Sequence, residues 1–396
     1  MLQDRRTSEE DAGRRRLVVV HNGRRDDYQV ALALQEGGRL EALVTDFYSK
    51  SRMVPRRSNR ELHSNAVRNT WQCVAEQGLW RVKSLVGTSR SRVDWSGVEH
   101  KLGARANALA MRSGAGVVAY AGLGRDGFPN VTGPRVLFVF HPMPGLIREV
   151  LAQDARQWGL SEQTLVRERE FSERDAEEVA LSEARMATQI LVASSFSQRS
   201  VQEAVKPTRA DVTVVPYGCP PVAPRARRSG PTKFLFVGQG VQRKGLHHLA
   251  AVWPQVADRH PQAQLTLVMG TVDPSLNLTA LKGRASIKAR VPQAALDALM
   301  DSHDVLVLPS LVEGFGLVIT EALACGMHVL ATDHTGLVDL PLYEGAGTLI
   351  SAGEREQLRD ALCALIEKDG LDHEASYATA ADYQWRDYRA AVCSAL

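Results

Sequence analysis

Residues Asp304 to Gly336 read DVLVLPSLVEGFGLVITEALACGMHVLATDHTG, in the order strand, tight loop, helix, strand, loop. Val305 to Leu308 is a short apolar run without alternation, as expected of a strand buried on both faces of a parallel sheet. Pro309 and Ser310 stop it. Gly314, Phe315 and Gly316 then make a loop that lets backbone come close to a ligand. Leu317 to Cys325 is predicted as a helix ended by Gly326, and Val329 to Ala331 as the next strand. Two carboxylates, Glu313 and Glu321, thus flank one helix start. In an open parallel sheet, ligands bind at the carboxyl ends of the strands. A helix amino end there favours an anionic group such as a diphosphate.

Two carboxylates at this spacing alone carry little information. Embedded in PSLVEGFG and EALACG they say more. Glu313-Gly-Phe-Gly-Leu-Val-Ile-Thr-Glu321, with Pro309-Ser310 before it and Ala322 to Gly326 after it, resembles the paired-glutamate signature of retaining glycosyltransferases of family 4. The resemblance implies an α/β chain of the GT-B fold: two Rossmann-like domains facing across a central cleft, with a C-terminal helix crossing back to the first domain.

Working outward, 396 residues suggest two or three domains. A hydrophobic fraction of 44% with 23% charged residues is that of an ordinary globular protein. No run approaches the ~20 apolar residues of a membrane span. The start, MLQDRRTSEEDAGRRR, lacks the apolar core of a signal peptide. Five scattered cysteines, with no C-x-x-C pair, fit a reduced cytosol with neither a disulfide framework nor a zinc site. The chain is therefore expected to be cytoplasmic, with peripheral contact at the inner membrane face as one reading.

Charge is uneven. Met1 to Gly230 holds 35 Lys and Arg against 26 Asp and Glu, and Pro231 to Leu396 holds 13 against 19. Residues 47–112 concentrate the excess, with 13 basic and 4 acidic residues. Such a patch attracts anionic partners. Met53, Val54, Leu62, Trp71, Leu79, Trp80, Val86 and Trp95 suggest an irregular helical flap with an apolar underside, which would lie on an anionic membrane or be a plain solvated face. Aromatics are not interleaved there as in a nucleic-acid module, so no nucleic-acid partner is expected.

The amino-terminal half opens with a strand at Leu17 to His21, a loop from Asn22 to Tyr28, a helix from Gln29 to Glu36 and a strand from Leu40 to Thr45. Gly116 to Ala121 and Arg135 to Phe140 are further buried strands, and the second ends in His141-Pro142, which turns a histidine toward the cleft. Gln189 to Ala193, the hydroxyl-capped helix start Ser194 to Ser197, and a strand at Val212 to Val215 complete this half. Organisation is then expected as a disordered tail over 1–16, an acceptor-binding domain over 17–216, a Pro/Arg/Gly-rich linker over 217–231, a nucleotide-sugar domain over 232–372, and a terminal helix over 373–396 packed back on the first domain.

In the second half, Lys233 to Val237 is a strand and Gly238-Gln-Gly-Val-Gln-Arg-Lys-Gly245 a glycine-rich loop leading into a helix from Leu246. It is neither a dinucleotide fingerprint nor a Walker loop. It resembles the family's phosphate loop, in which Lys244 contacts the donor diphosphate. The family's usual arginine after the first glycine is Gln239 here, and Arg243 is the candidate replacement. Arg290 and Val291, after the strand starting at Ile287, fall where the family meets the nucleotide base. A single long helix is expected from Ala375 to Ala395.

The roles implied by the resemblance are then these. His141 and Glu313 would stand at the reacting centre. Gly23, Gly238, Arg243, Lys244, Gly316 and Leu317 would hold the diphosphate. Glu321 would take the ribose hydroxyls, since a carboxylate accepts two hydrogen bonds at once. Glu313, Gly314 and Phe315 would meet the transferred sugar, and Asn22, Arg24 and Asp27 the acceptor. No Asp-x-Asp motif stands where a metal-dependent transferase needs one, so no cofactor and no catalytic metal are expected. The implied reaction moves a hexose from a UDP- or GDP-linked sugar to a hydroxyl of a glycan, glycolipid or small molecule, with retention, in surface polysaccharide or glycoconjugate synthesis. The alternatives are a GT-B protein that binds nucleotide sugar or glycan without turnover, and a GT-B epimerase or phosphorylase.

Overall fold

A computed structural model describes residues 15–50, 59–70, 95–160, 175–207, 209–222, 230, 232–368 and 370–396. The tail over 1–14, most of the basic flap (51–58 and 71–94), the charged stretch 161–174 and linker residues 223–229 lie outside them.

The first sheet holds β1 (Leu17–Val20), β2 (Leu40–Thr45), β3 (Val67–Asn69), β4 (Gly116–Tyr120), β5 (Arg135–Val139), β6 (Gln189–Val192) and β7 (Asp211–Val214). All pair in parallel, in the order β3-β2-β1-β4-β5-β6-β7. Among the described residues, the second sheet holds β8 (Lys233–Gly240), β9 (Gln264–Val272), β10 (Ser286–Ala289), β11 (Val305–Leu308), β12 (His328–Thr332) and β13 (Gly347–Ile350). Its order is β10-β9-β8-β11-β12-β13, again parallel throughout. Each is the Rossmann order, in which the connections reverse direction beside the first strand. The crevices therefore open between β1 and β4 in one domain and between β8 and β11 in the other. The loops carrying Gly23, Lys244 and Glu313 leave from those strand ends.

The central strands are buried along their whole length, as their unbroken apolar runs require. Helices cover both faces: α1 (Gln29–Glu36), α2 (Trp95–Ser113), α3 (Pro144–Trp158), α4 (Ala176–Met186) and α5 (Ser195–Ala204) in the first domain, then α6 (Leu246–Arg259), α7 (Gln293–Ser302), α8 (Leu317–Ala324) and α9 (Arg355–Glu367) in the second. Pro144 opens α3 at a position where a proline costs no hydrogen bond, and Gly159 closes it in the left-handed region. Ser194 caps α5 by accepting from the Ser197 amide.

Three expectations change, and one helix is added. Part of the flap is regular structure: Val67–Asn69 joins the first sheet as its edge strand, and α2 is a 19-residue helix. Helix α3 went unread in the sequence. Gly238 to Gly240 are not loop but the end of β8, which continues beside β9 through a register shift. The terminal helix is two: α10 (His373–Asp382) and α11 (Trp385–Ala395). The break falls at Tyr383-Gln384, where Cys219 donates its amide to the Tyr383 carbonyl at 2.8 Å and the Trp385 amide reaches the Cys219 carbonyl at 3.2 Å. Gln384 and Asp387 restart the helix with a reciprocal capping box. Before the break, α10 packs on α8, with Tyr377 against Gly326. After it, α11 lies on α1, and Arg389 bonds Glu36 and Gln29.

Candidate active site

Glycine governs the local path of the second domain's loops. At Gly245 φ is +65°, and a Cβ there would stand 1.8 Å from the Pro309 carbonyl oxygen. Only glycine lets the turn before α6 lie against the end of β11. That contact sets Lys244 beside Glu313. The carbonyl of Arg243 accepts from the Leu311 and Val312 amides at 2.8 and 3.2 Å, tying the two loops along their backbones.

Lys244 ion-pairs with Glu313 through Nζ and Oε2, and Arg243 stands 3.8 Å from Oε1. All three are largely withdrawn from water. Burial pushes the Glu313 carboxyl pKa up, but Lys244 and then Arg243 outweigh it and hold the group at about 2. It is a carboxylate at any physiological pH. His141 arrives from the other domain, beyond the end of β5, and is half-buried. Burial, followed by the nearby Arg243, pushes its pKa down to about 3, so the imidazole is neutral. A neutral ring is able both to donate and to accept a hydrogen bond.

Gly314 joins the two domains. A Cβ there would meet the Phe140 carbonyl oxygen at 1.8 Å and His141 Nδ1 at 3.2 Å. Its carbonyl accepts from the buried Ser194 hydroxyl at 2.6 Å, and Ser197 stands behind at 3.4 Å. The hydroxyls that cap α5 thereby hold the glutamate loop. Phe315 turns into the core, edge-on to Tyr217 at 5.3 Å, so it supports the loop from beneath. Gly336, which the sequence reading missed, is required by Phe315: a Cβ there would lie 2.0 Å from the ring.

Gly316, at φ +91°, starts α8. The first-turn amides of a helix have no preceding turn to donate to. Leu317 is exposed at this end, and Glu321 lies one turn on, on the same face. Burial, followed by the charge of Asp297 on α7, pushes Glu321 up to about 7. Gly238 contacts its neighbours only at ordinary distances, so packing alone does not demand glycine there. Gln239 is exposed and folds away, accepting from the Thr271 amide at 2.7 Å. It is Arg243 that stands with Lys244 at the glutamate. Arg290 is exposed beyond β10, and Val291 is half-buried against the core.

The first-domain loop is built differently. The amide of Gly23 (φ +65°) donates to Asp46 at 2.9 Å and is already engaged. Asn22 spends its amide on Glu99 of α2 and its oxygen on Arg25. Arg24 is exposed and pairs with Asp27 at 2.5 Å. Arg25 is the residue that reaches inward, 4.3 Å over the Phe140 ring and close enough to His141 to affect its charge. Asp26, Asp27 and Tyr28 are all left-handed without being glycine, at φ 38°, 53° and 66°. Asp26 is buried and accepts from the Tyr120 hydroxyl at 2.6 Å, and burial pushes its carboxyl up to about 7. Such strain persists where the surroundings over-determine it, and it concentrates at ligand sites.

Comparison with known proteins finds likenesses for the second domain and for the fold. Residues 231–368 match the family Glycosyl transferases group 1. Glycogen synthase of Mycobacterium tuberculosis is 27% identical over 215 residues, 51% of this chain and 52% of that protein. Phosphatidyl-myo-inositol mannosyltransferase of Mycolicibacterium smegmatis is 30% identical over 188 residues, 46% and 48% of the two chains. The match thus spans about half the length of these relatives. The structure of sucrose-phosphate synthase from Thermosynechococcus elongatus superposes with a TM-score of 0.66 at 18% identity, over 96% of this chain and 97% of that one. The fold is GT-B, and residues 231–368 are similar to the group 1 glycosyl transferases.

Proposed function

Starting from a domain similar to the group 1 glycosyl transferases, set against a second Rossmann-like domain, we propose that this chain is a transferase. It moves a hexose from a nucleoside diphosphate sugar to a hydroxyl of a glycan, glycolipid or small molecule, with retention at the anomeric carbon. The observation that carries the reading is the meeting of Lys244, Arg243 and Glu313 with His141 across the two domains. Breaking the glycosidic bond of a sugar nucleotide leaves negative charge on the diphosphate and positive charge at the sugar. A site that lowers this barrier needs fixed cations at the first and fixed polar groups at the second.

Lys244 and Arg243 supply the cations, and the amides at Gly316 and Leu317 add the positive end of α8. These charges suffice for the leaving diphosphate without a divalent ion. The diphosphate takes over part of the Lys244 contact, and Glu313 turns to the hydroxyls of the transferred sugar. Gly314 and Phe315 shape the wall behind that sugar. Glu321 takes the ribose diol, and the loop at Arg290 and Val291 the base. His141 accepts or donates at the reacting centre as a neutral ring. Gly23 and Arg25 line the facing wall, with Asn22, Arg24 and Asp27 around the acceptor entrance. The basic balance of the first half suits an anionic glycan or a lipid headgroup as acceptor surface, hence a role in surface polysaccharide or glycoconjugate synthesis.

The test is release of nucleoside diphosphate from a panel of UDP- and GDP-hexoses without added metal. The anomeric configuration of the product, or of the sugar released to water, is followed by proton NMR. Turnover of one donor with retained configuration is the expected result. Binding of a donor with no release under any condition, acceptors included, would replace the transferase by a nucleotide-sugar binding protein.

A further inference from the structure

A second cluster joins the domains away from the donor loops. Asp154, near the end of α3, meets His247 and His248 at the start of α6, and all three side chains are buried. Nε2 of His247 lies 2.9 Å from Asp154 Oδ2, and Nε2 of His248 lies 2.7 Å from Oδ1. We propose that these three residues form a structural site for one divalent cation of the zinc class, which fastens the first domain to the second.

Two imidazoles and one carboxylate are a donor set suited to zinc, whereas calcium and magnesium prefer oxygen alone. The ligand atoms of the three residues all lie within 4.8 Å of one another. Metal–ligand bonds of about 2.0–2.2 Å need the nitrogens and oxygens to part by only a few tenths of an ångström. An outer partner is in place for the carboxylate: the Gln242 amide donates to Asp154 Oδ2 at 2.7 Å and to the Leu151 carbonyl at 2.8 Å. Neither imidazole Nδ1 has a hydrogen-bond partner among the described residues. In the ion-free cluster each Nε2–H donates to the carboxylate, and to take an ion each ring carries its proton on the unpartnered Nδ1 instead. With the proton on Nδ1, each ring presents an Nε2 lone pair to the ion, no proton is released, and the ion neutralises the buried carboxylate.

Access and confinement also fit. A cavity of about 420 Å³ opens beside Asp154, lined by Gln153, Gln157, His334, Glu354 and Arg355 among others. It offers an entry path and space for a water as fourth ligand. The Trp158 ring packs edge-on against the two imidazoles at 5.1 and 4.9 Å, with Arg355 stacked 4.6 Å from it. The place in the chain gives the ion its purpose. Helix α3 begins three residues after His141, and α6 begins directly after Lys244-Gly245. One ion would fix the distance between the elements that position those two groups. It takes no part in bond making, so the expectation of metal-free transfer is a separate matter.

The untagged full chain, stripped with a chelator, is titrated with zinc chloride by calorimetry and with cobalt chloride by visible absorption. The expected result is saturation at one ion per chain, a tetrahedral cobalt ligand-field band, and a zinc-dependent rise in melting temperature. His248→Gln and Asp154→Asn should each weaken binding by more than about 100-fold, beyond what outer-partner changes cost. Should Asp154→Asn not fold, the wild-type titration and His248→Gln decide. No saturable uptake by the wild type, or equal affinity in His248→Gln, overturns the proposal and leaves the cluster as a hydrogen-bonded lock.

Discussion

The two walls of the cleft are built by opposite means. On the donor wall, glycines set the backbone: Gly245, Gly314, Gly316 and Gly336 each occupy a place where a side chain meets carbonyl or ring, or where φ is positive. On the facing wall, Asp26, Asp27 and Tyr28 hold left-handed conformations without glycine. Distant side chains hold this loop: Tyr120 on Asp26, Asp46 on Gly23, Glu99 on Asn22. The first wall is shaped where glycines let backbone meet backbone, at Pro309 and Phe140. The other wall is shaped by side-chain contacts from distant elements.

The sharpest way to break this contrast is Lys244→Ala. It removes the main cation from the proposed diphosphate site and leaves Glu313 buried with only Arg243 beside it. Turnover is expected to fall ~10²–10³-fold. Stability should drop by about 3 kcal/mol, as when one partner of a buried ion pair is removed. Steady-state kinetics and urea unfolding read the two effects, and wild-type turnover in the variant would break the assignment.

Gly314→Ala comes next. The new methyl collides with the Phe140 carbonyl across the domain junction. Turnover should fall ~10²-fold because the reacting groups shift by about an ångström. Circular dichroism should show both domains still folded. The loop would prove less constrained than described if the variant kept full activity.

A smaller effect, with a definite sign, belongs to Glu321. Its carboxyl sits at about 7 against an ordinary 4.5, because burial and Asp297 oppose its charge. As pH falls through 7 it protonates and loses an acceptor for the ribose diol. Nucleoside diphosphate affinity should therefore weaken below pH 7, by at most about tenfold per unit. In the free protein the folded state holds this proton more tightly than the unfolded chain. Its contribution to stability is therefore present below pH 4.5 and lost as pH rises to about 7. Glu321→Gln should flatten both slopes, and an unchanged binding profile in that variant would remove Glu321 from the ribose.

The mildest comparison separates neighbours on the facing wall. Arg25→Ala should cost more activity than Arg24→Ala, because Arg25 leans on Phe140 beside His141 while Arg24 pairs with Asp27 at the surface. An exposed pair contributes ~0–1 kcal/mol, so Arg24→Ala is expected to stay within a few-fold of wild type. The reverse ranking would place the acceptor on the outer face of the loop.

The same contrast explains what the sequence made legible. Val305 to Leu308, the loop to Gly316, helix α8 and strand β12 were readable because apolar runs, glycines and a helix start lie next to one another in the chain. Lys244 followed from its place before a helix. Nothing local tells which of the adjacent Arg24 and Arg25 turns inward; Phe140, 115 positions from Arg25, decides that. The break between α10 and α11 comes from pairing with Cys219, which no periodicity in Ala375 to Ala395 announces. Gly238 to Gly240 looked like a loop because glycine is common in loops, yet pairing with β9 keeps them in the sheet. Asp154 and His247 stand 93 residues apart in sequence, so their meeting is a property of the folded domains alone.

No helix among the described residues is long and apolar enough to cross a membrane. A membrane contact through residues 47–112 is a proposal that rests on their basic charge and interspersed apolar side chains.

The most direct test of the donor wall is calorimetric titration with UDP, GDP and ADP at pH 8, without divalent metal, for wild type and Glu321→Ala. One nucleotide should bind the wild type selectively and lose at least about tenfold in affinity in the variant, as when a charged hydrogen-bond partner is deleted. Selective binding that is equal in both proteins would contradict the assignment of Glu321, and binding of none of the three would contradict the donor site itself.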